Sequence, residues 1–319
     1  MSLPPFAWWL EAARLILASP FVQAPPADPL RHAIQLESAG HTWSYFAQLP
    51  GAPQPETRWP VVLVLHGAGG EAREYLDGAG WAKKAKAAGF LAIAPEGLPK
   101  TARGRANFWT NPRLWNTGSF DIGGDRMTVD DLAFFRDLLD DIARRWPIDP
   151  ERISIAGHSN GGSMAFRLGW TMPERFAAIA AVASPMPIRE GAEPPAQSIP
   201  SLFLIGNQDT IVPLAGGVRT LPWGKSTVPP IEPGLTRWAK GQGCSGEGRT
   251  RSDEDGLKVV EYGPGREGVP FTAYFLEGQG HGWPGADSSI KSVAMGPVSN
   301  RLNATELIWD FFQGKRRTR

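Results

Sequence analysis

Arg152-Ile153-Ser154-Ile155-Ala156-Gly157-His158-Ser159-Asn160-Gly161-Gly162-Ser163-Met164-Ala165-Phe166-Arg167-Leu168 decides how the rest of the chain is read. Residues 152–156 form a short run with two isoleucines, the mark of a strand buried on both faces. From Gly161 to about residue 171 the apolar positions take helical spacing. Between the two, Gly157-His158-Ser159-Asn160-Gly161 fits G-x-S-x-G. In a chain with 37 glycines the bare match is weak. Its placement gives it weight, because a sharp strand-to-helix turn needs residues without side chains on both sides of the serine and strains the serine backbone. Ser159 is predicted to stand above the sheet as a nucleophile, at the N-terminus of a helix.

On either side of that turn strands and helices alternate. Residues 31–38 and 41–48 read as a strand pair turning at Gly40. Val61-Val62-Leu63-Val64-Leu65 is a further buried strand, and 72–88 suits a helix stopped by Gly89. Residues 91–94 are a short strand, followed by a loop over 96–127 that is longer than a plain connector. Thr128 is placed to cap the next helix, with Asp131 in its first turn. Leu132, Phe135, Leu138, Leu139, Ile142 and Trp146 keep helical spacing through it, and Pro147 and Pro150 end it. Strands follow at 177–182, 201–205 and 271–276. A closing helix at 304–313 has Asn303 as cap and Glu306 three residues on; Asn303-Ala304-Thr305 is also a glycosylation sequon. The alternation predicts one α/β domain over residues 30–314, with a mostly parallel central sheet and helices on both faces. The stretch between 177–182 and 201–205 is short and Pro-rich, which leaves little or no sequence for a lid.

A serine hydroxyl attacks only when a base takes its proton. At a strand-turn-helix serine the partners follow in the order acid, then histidine. The chain has five histidines: His32, His41, His66, His158 and His281. Only His281 lies after Ser159, in the loop Gly278-Gln279-Gly280-His281-Gly282 that leaves a strand. Asp209 follows strand 201–205 after Gly206-Asn207-Gln208, whereas Asp253, Glu254 and Asp255 bunch in a polar segment. Asp209 is thus the candidate that orients His281 and stabilises its imidazolium. An oxyanion needs two donors. The amide of Asn160 is one, and the Gly-rich loop His66-Gly67-Ala68-Gly69-Gly70 offers the other, with Ala68 favoured among its neighbours. His66 itself reads as structural. Trp283, two residues from His281, and Trp109 and Trp115 in the long loop are candidates to bind substrate by stacking.

The bulk numbers exclude other classes. The formal net charge of +1 comes with no basic stripe on any element, which argues against nucleic acid. The basic cluster Lys315, Arg316, Arg317 and Arg319 reads as a short solvated tail over 315–319. The single cysteine, Cys244, permits no intrachain disulfide and sits in a polar Gly-rich loop. Residues 1–29 have two readings. Val22-Gln23-Ala24 after an apolar run resembles a signal-peptide cleavage site; alternatively Phe6, Trp9, Leu10, Ala13, Ile16 and Leu17 line one face of an amphipathic helix. In either case the run is too short and too charged to span a membrane.

These motifs together resemble the polyhydroxybutyrate depolymerase and feruloyl-esterase-like branch of the α/β hydrolases. The matching stretches are His66–Gly70, Val129-Asp130-Asp131, Pro147–Pro150, Gly157–Gly162, Gly206–Asp209 with Val212-Pro213, Trp238 through Cys244, and Gly280-His281-Gly282-Trp283-Pro284-Gly285. They span roughly residues 58–313. The resemblance implies the α/β-hydrolase fold and hydrolysis of carboxylic esters, hydroxycinnamoyl (feruloyl-type) esters or short polyester oligomers, with no cofactor and no metal. It also implies export to the periplasm or the medium, the alternative being a cytoplasmic protein. The chain departs from many relatives in lacking a second cysteine to pair with Cys244, and its loop around Trp109, Trp115 and Asn116 matches loosely. The competing functions are a serine peptidase of the same fold and a non-catalytic binding protein built on it.

Overall fold

Successive residues of the 59–65 strand face opposite ways. Val61, Leu63 and Leu65 enter one buried cluster while Val62 and Val64 enter another. Both faces of this strand must therefore be covered, and helices cover them. The computed structural model describes residues 28–51, 58–118, 124–286 and 295–317. Both readings of the N-terminal segment and the end of the basic tail lie outside the described residues.

In chain order the strands are β1 (Arg31–Ser38), β2 (His41–Gln48), β3 (Trp59–Leu65), β4 (Leu91–Pro95), β5 (Leu98–Pro99), β6 (Arg113–Leu114), β7 (Ile148–His158), β8 (Ala178–Val182), β9 (Ser201–Gly206), β10 (Gly217–Leu221), β11 (Gly224–Val228), β12 (Gly248–Glu254), β13 (Leu257–Tyr262) and β14 (Phe271–Leu276). The helices are α1 (Ala72–Gly78), α2 (Trp81–Ala88), α3 (Asp131–Arg145), α4 (Asn160–Thr171), α5 (Ile231–Gly241) and α6 (Ala304–Phe312). The main sheet runs β1-β2-β4-β3-β7-β8-β9-β14-β13-β12. Its middle, from β4 to β14, is parallel. Antiparallel pairs extend it at both edges. One face is covered by α3, α4 and α5 through Phe134, Phe135, Met164, Phe166 and Trp238. The other is covered by α1, α2 and α6 through Leu76, Trp81, Ile308 and Trp309. Each fully buried large apolar side chain contributes about 1.5–3 kcal/mol.

The layered α/β architecture is the expected one. Three local expectations change. The helix over 72–88 is two helices, because Gly80 adopts φ +78° and breaks the hydrogen-bond run. The cap of α3 is Asp130, whose carboxylate accepts from the Ala133 amide at 3.0 Å. Thr128 instead closes a preceding 3₁₀ turn by donating to the Asp125 carbonyl. Asp131 is in the first turn but fully buried, where it pairs with Arg126 and so pins the end of the long loop to the helix. At the C-terminus, Arg316 is not free in solvent. It lies 3.1 Å from Asp149 and 2.9 Å from Glu151, and these carboxylates supply the counter-charge that docks the tail. Asn303 caps α6 by accepting from the Glu306 amide at 3.1 Å.

Candidate active site

The parallel strands end on one side of the sheet, and the candidate residues converge there. Ser159 follows β7 directly and precedes α4 with φ +52° and ψ −117°, a strained conformation for a residue with a side chain. Small neighbours permit the turn. A methyl group on Gly157 would stand 2.2 Å from the Gly161 carbonyl oxygen, and one on Gly161 would stand 2.4 Å and 2.5 Å from the Leu65 and His66 oxygens. The Ser159 amide donates to Val182 at 2.8 Å, and its carbonyl accepts from Ser163 at 3.0 Å. The strain is thus held by hydrogen bonds on both sides of the residue.

His281 reaches the serine from the loop after β14. Its Nε2 lies 2.9 Å from Ser159 Oγ and its Nδ1 lies 2.8 Å from Asp209 Oδ2. The carboxylate can only accept, so Nδ1–H donates and Nε2 is left to accept the serine proton. Asp209 Oδ1 in turn accepts from the amides of Ile211 at 2.9 Å and Val212 at 2.7 Å. All three side chains lie in buried residues. The His281 loop is tied down as well. The His281 amide donates to Met295 and that of Gly280 to Pro297, while Gln279 donates to the Gly280 and Gly282 carbonyls.

A second histidine is built into this site. His158 Nε2 lies 2.6 Å from the backbone oxygen of His281, and its Nδ1 lies 2.6 Å from the hydroxyl of Tyr75 on α1. The carbonyl only accepts, so Nε2–H donates to it and Nδ1 accepts from the tyrosine. Both the Tyr75 hydroxyl and His158 Nδ1 pack closely on Gly67, where an added methyl group would stand 3.1 Å and 3.0 Å from them. Burial above all, with the neighbouring His281 adding to it, pushes the His158 imidazole down to about 3. The neutral ring therefore links the Gly-rich loop after β3 to the backbone of His281. In the sequence, the position of His158 beside Ser159 is the only signal that points to this role.

In the Gly-rich loop the Gly69 amide donates to Arg113 at 2.8 Å and that of Gly70 to Gly67 at 3.0 Å. Ala68 lines the cavity above Ser159 together with Gly67, Tyr75, Phe108, Trp283 and Val298. The side chain of Asn160 both donates to and accepts from the backbone of Trp115. His66 is structural: its Nδ1 donates to the Gly67 carbonyl and its Nε2 accepts from the Gly97 amide.

The three tryptophans separate. Trp283 lines the cavity with its Nε1 donating to Thr305 Oγ1 at 3.0 Å. Trp109 is 38% exposed and stands edge-on to Phe108. Trp115 is wholly buried against Phe135, with Nε1 donating to the His66 carbonyl. It offers no face to a ligand, and the expectation that it stacks on substrate is corrected: apolar contacts take it into the core, where it supports the loops from beneath. The roof of the cleft comes from elements with no strand pattern in the sequence. The β10–β11 hairpin carries Trp223, whose ring meets Phe108 at 5.5 Å, and both rings lie against Gly69.

Cys244 is buried, with Sγ 3.3 Å from the Tyr262 carbonyl, and burial pushes its thiol up, so it has the character of a packing residue. Among the described residues, no group of three or more His, Cys, Asp or Glu is arranged to hold a metal ion. No helix of the described residues is long and apolar enough to cross a membrane.

Comparison with known proteins agrees with this geometry. The family described as "Putative esterase" matches residues 37–263. "Putative esterase NocK" of Nocardia uniformis subsp. tsuyamanensis is 29% identical over 93% of this chain and 86% of its own length. Feruloyl esterase B of Piromyces equi is 28% identical over 70% of this chain, and poly(3-hydroxybutyrate) depolymerase of Ralstonia pickettii is 29% identical over 57%. The chain spans only 39% and 38% of those two relatives. An S-formylglutathione hydrolase from Agrobacterium tumefaciens shares the fold with a TM-score of 0.54 at 14% identity, over 88% of this chain and 93% of its own. With the family match covering most of its length, the chain belongs to this esterase family and is a carboxylic-ester hydrolase of the α/β-hydrolase fold.

Proposed function

We propose that the hydrolase works through a serine acyl-enzyme, carried by one catalytic domain over residues 30–314. The observation that carries this reading is the unbroken chain from Ser159 Oγ through His281 to Asp209, at 2.9 Å and 2.8 Å. Ser159 attacks the ester carbonyl as His281 takes its proton; His281 then returns the proton to the leaving alcohol, and water releases the acyl group. The oxyanion is held by the amides of Asn160 and Ala68. Asn160 is the first residue of α4, where amides lack helical partners. In the 67–70 loop the amides of Gly69 and Gly70 are engaged by Arg113 and Gly67, whereas Ala68 lines the cavity above Ser159.

The substrates in this reading are short polyester oligomers or hydroxycinnamoyl esters, with Trp283 in the wall and Trp109 at the rim. The mostly apolar cavity measures about 80 Å³, against about 150 Å³ for one that encloses benzene. That size favours a short aliphatic acyl group in the enclosed part. Export from the cytoplasm belongs to the same proposal and rests on the resemblance to exported esterases. Turnover of p-nitrophenyl acetate tests the mechanism. The expected result is a burst of p-nitrophenol and a loss of about 10⁴-fold or more in kcat for Ser159→Ala. Turnover unchanged in that variant would overturn it.

A further inference from the structure

Arg219 sits midway along β10, opposite Ser226 of β11. Alternation sets which way it points. Val218, Thr220, Lys225 and Thr227 are exposed and form the outer face of the hairpin, while Arg219, Leu221 and Ser226 are partly covered and Val228 is buried. Arg219 therefore lies on the inner face. The same hairpin is held across the cleft by Trp223, which packs on Phe108 and against Gly69. The guanidinium has one hydrogen bond among the described residues, from Nε to the Ser226 hydroxyl at 2.8 Å. No carboxylate among them lies within ion-pair distance of it.

The acid whose charge it feels is Asp209, whose oxygens are already committed to His281, Ile211 and Val212. Burial lowers the proton affinity of the guanidinium, and the Asp209 charge opposes this without pairing. A partly desolvated cation without a counter-ion is costly to hold in a fold. Packing does not require a guanidinium here, since an uncharged side chain would cover the same surface without that cost. An incoming anion recovers it.

We infer that Arg219 is an anion-recognising residue of the cleft, and that the preferred substrates are esters of hydroxy acids whose own carboxylate is free. This rests on the acyl-enzyme reading in one respect, the side of the site that the alcohol occupies. His281 must protonate the leaving oxygen, so the alcohol half lies on the His281 side, toward Asp209 and Arg219. A free carboxylate on that alcohol is then the group that Arg219 meets. In polyester terms, this is the last unit at the acid end of a chain. A hydroxycinnamoyl ester of a neutral sugar carries no such charge.

The test compares the linear dimer of 3-hydroxybutyrate, with its carboxylate free, and the methyl ester of the same dimer. For the wild-type protein kcat/KM is expected to favour the free acid by about 10-fold or more, the range of a hydrogen-bonded charge. In Arg219→Gln the ratio is expected to collapse to near one, and Arg219→Lys to keep part of it. A wild-type ratio near one, or an unchanged ratio in Arg219→Gln, would overturn the inference. If neither dimer is hydrolysed while p-nitrophenyl acetate still is, the polyester reading of the substrate has failed and the acyl-enzyme stands; if p-nitrophenyl acetate is not turned over either, the acyl-enzyme reading has failed instead. Calorimetric binding of the two dimers to wild type and Arg219→Gln then decides: a preference for the acid that vanishes in the variant upholds the role of Arg219, and equal binding removes it.

Discussion

Ser159, His158 and His281 on the floor of the cleft are 6%, 2% and 3% exposed, and their polar side-chain atoms meet in one continuous set of hydrogen bonds. Trp109 in the roof is 38% exposed, and Arg219 on the β10–β11 hairpin has a single hydrogen bond, to the neutral hydroxyl of Ser226. The floor residues line the cavity, and the roof joins it through Phe108, which Trp109 and Trp223 both meet edge-on, so the physical demands of the two regions differ. On the floor a displaced atom breaks several bonds at once, so geometry is held by saturation. In the roof few bonds constrain a side chain, and its chemistry is free to follow the substrate. In the proposed mechanism the floor carries the reaction, and the roof carries the choice of ester.

Among substitutions that test this contrast, the largest effect is expected at His158, below that of removing the Ser159 hydroxyl itself. In His158→Leu the His281 carbonyl loses its donor, and the loop carrying the base is free to shift relative to Ser159. A displacement of about 1 Å costs on the order of 10²-fold, so kcat is expected to fall by that factor with KM little changed. Glutamine keeps an N–H near the position of Nε2, and His158→Gln is expected to recover most of the loss. Burst titration with a p-nitrophenyl ester counts competent sites and so separates mispositioning from misfolding. A loss seen only in burst amplitude would make His158 a packing residue and erase the contrast with the roof.

The same ring sharpens the comparison through pH. A histidine in the unfolded chain takes a proton near about 6.5, whereas buried His158 resists it down to about 3. Between these values the unfolded state binds a proton that the native state refuses, so stability rises with pH across the window. Read downward, its contribution is intact above about 6.5 and is lost as pH falls towards 3, by up to about 1.4 kcal/mol per pH unit. Urea unfolding at pH 7 and pH 4.5 measures it, and His158→Gln is expected to show a smaller difference between the two. Equal differences in the two proteins would mean that the native state admits the proton.

What could be read from the sequence follows the same division. Burial on both faces leaves runs such as Val61–Leu65 and Ile153–Ala156, and the tight turn at Ser159 leaves glycines at 157 and 161, so the floor is written in one-dimensional patterns. His281 was identified because no other histidine follows Ser159. The β10–β11 and β12–β13 hairpins leave no such trace. Arg249, Thr250, Arg251, Asp253 and Glu254 of β12 are solvent-facing residues at the sheet edge, without the apolar alternation that marks a half-buried strand. Trp115 misled for a related reason: a tryptophan in a polar loop looks available for stacking, and only the three-dimensional packing shows that its ring belongs to the core. The Tyr75–His158 contact spans 83 positions and has no periodicity to announce it.

The smallest expected effect tests the roof by itself. Trp223 meets Phe108 edge-on at 5.5 Å and is only partly buried, so Trp223→Ala removes one aromatic contact, worth about 0.5–1.5 kcal/mol, and opens no cavity in the core. The fold is expected to keep its unfolding midpoint in denaturant to within that margin. For p-nitrophenyl acetate, too small to reach the hairpin, kcat/KM is expected to stay within about twofold, because the oxyanion loop is held from below by Tyr75 and Arg113. For the free-acid dimer KM is expected to rise several-fold, because Trp223 is the contact that holds the Arg219 hairpin over the cleft. If both substrates suffered equally, Trp223 would be supporting the Gly69 loop itself, and the roof would belong to the catalytic floor rather than stand apart from it.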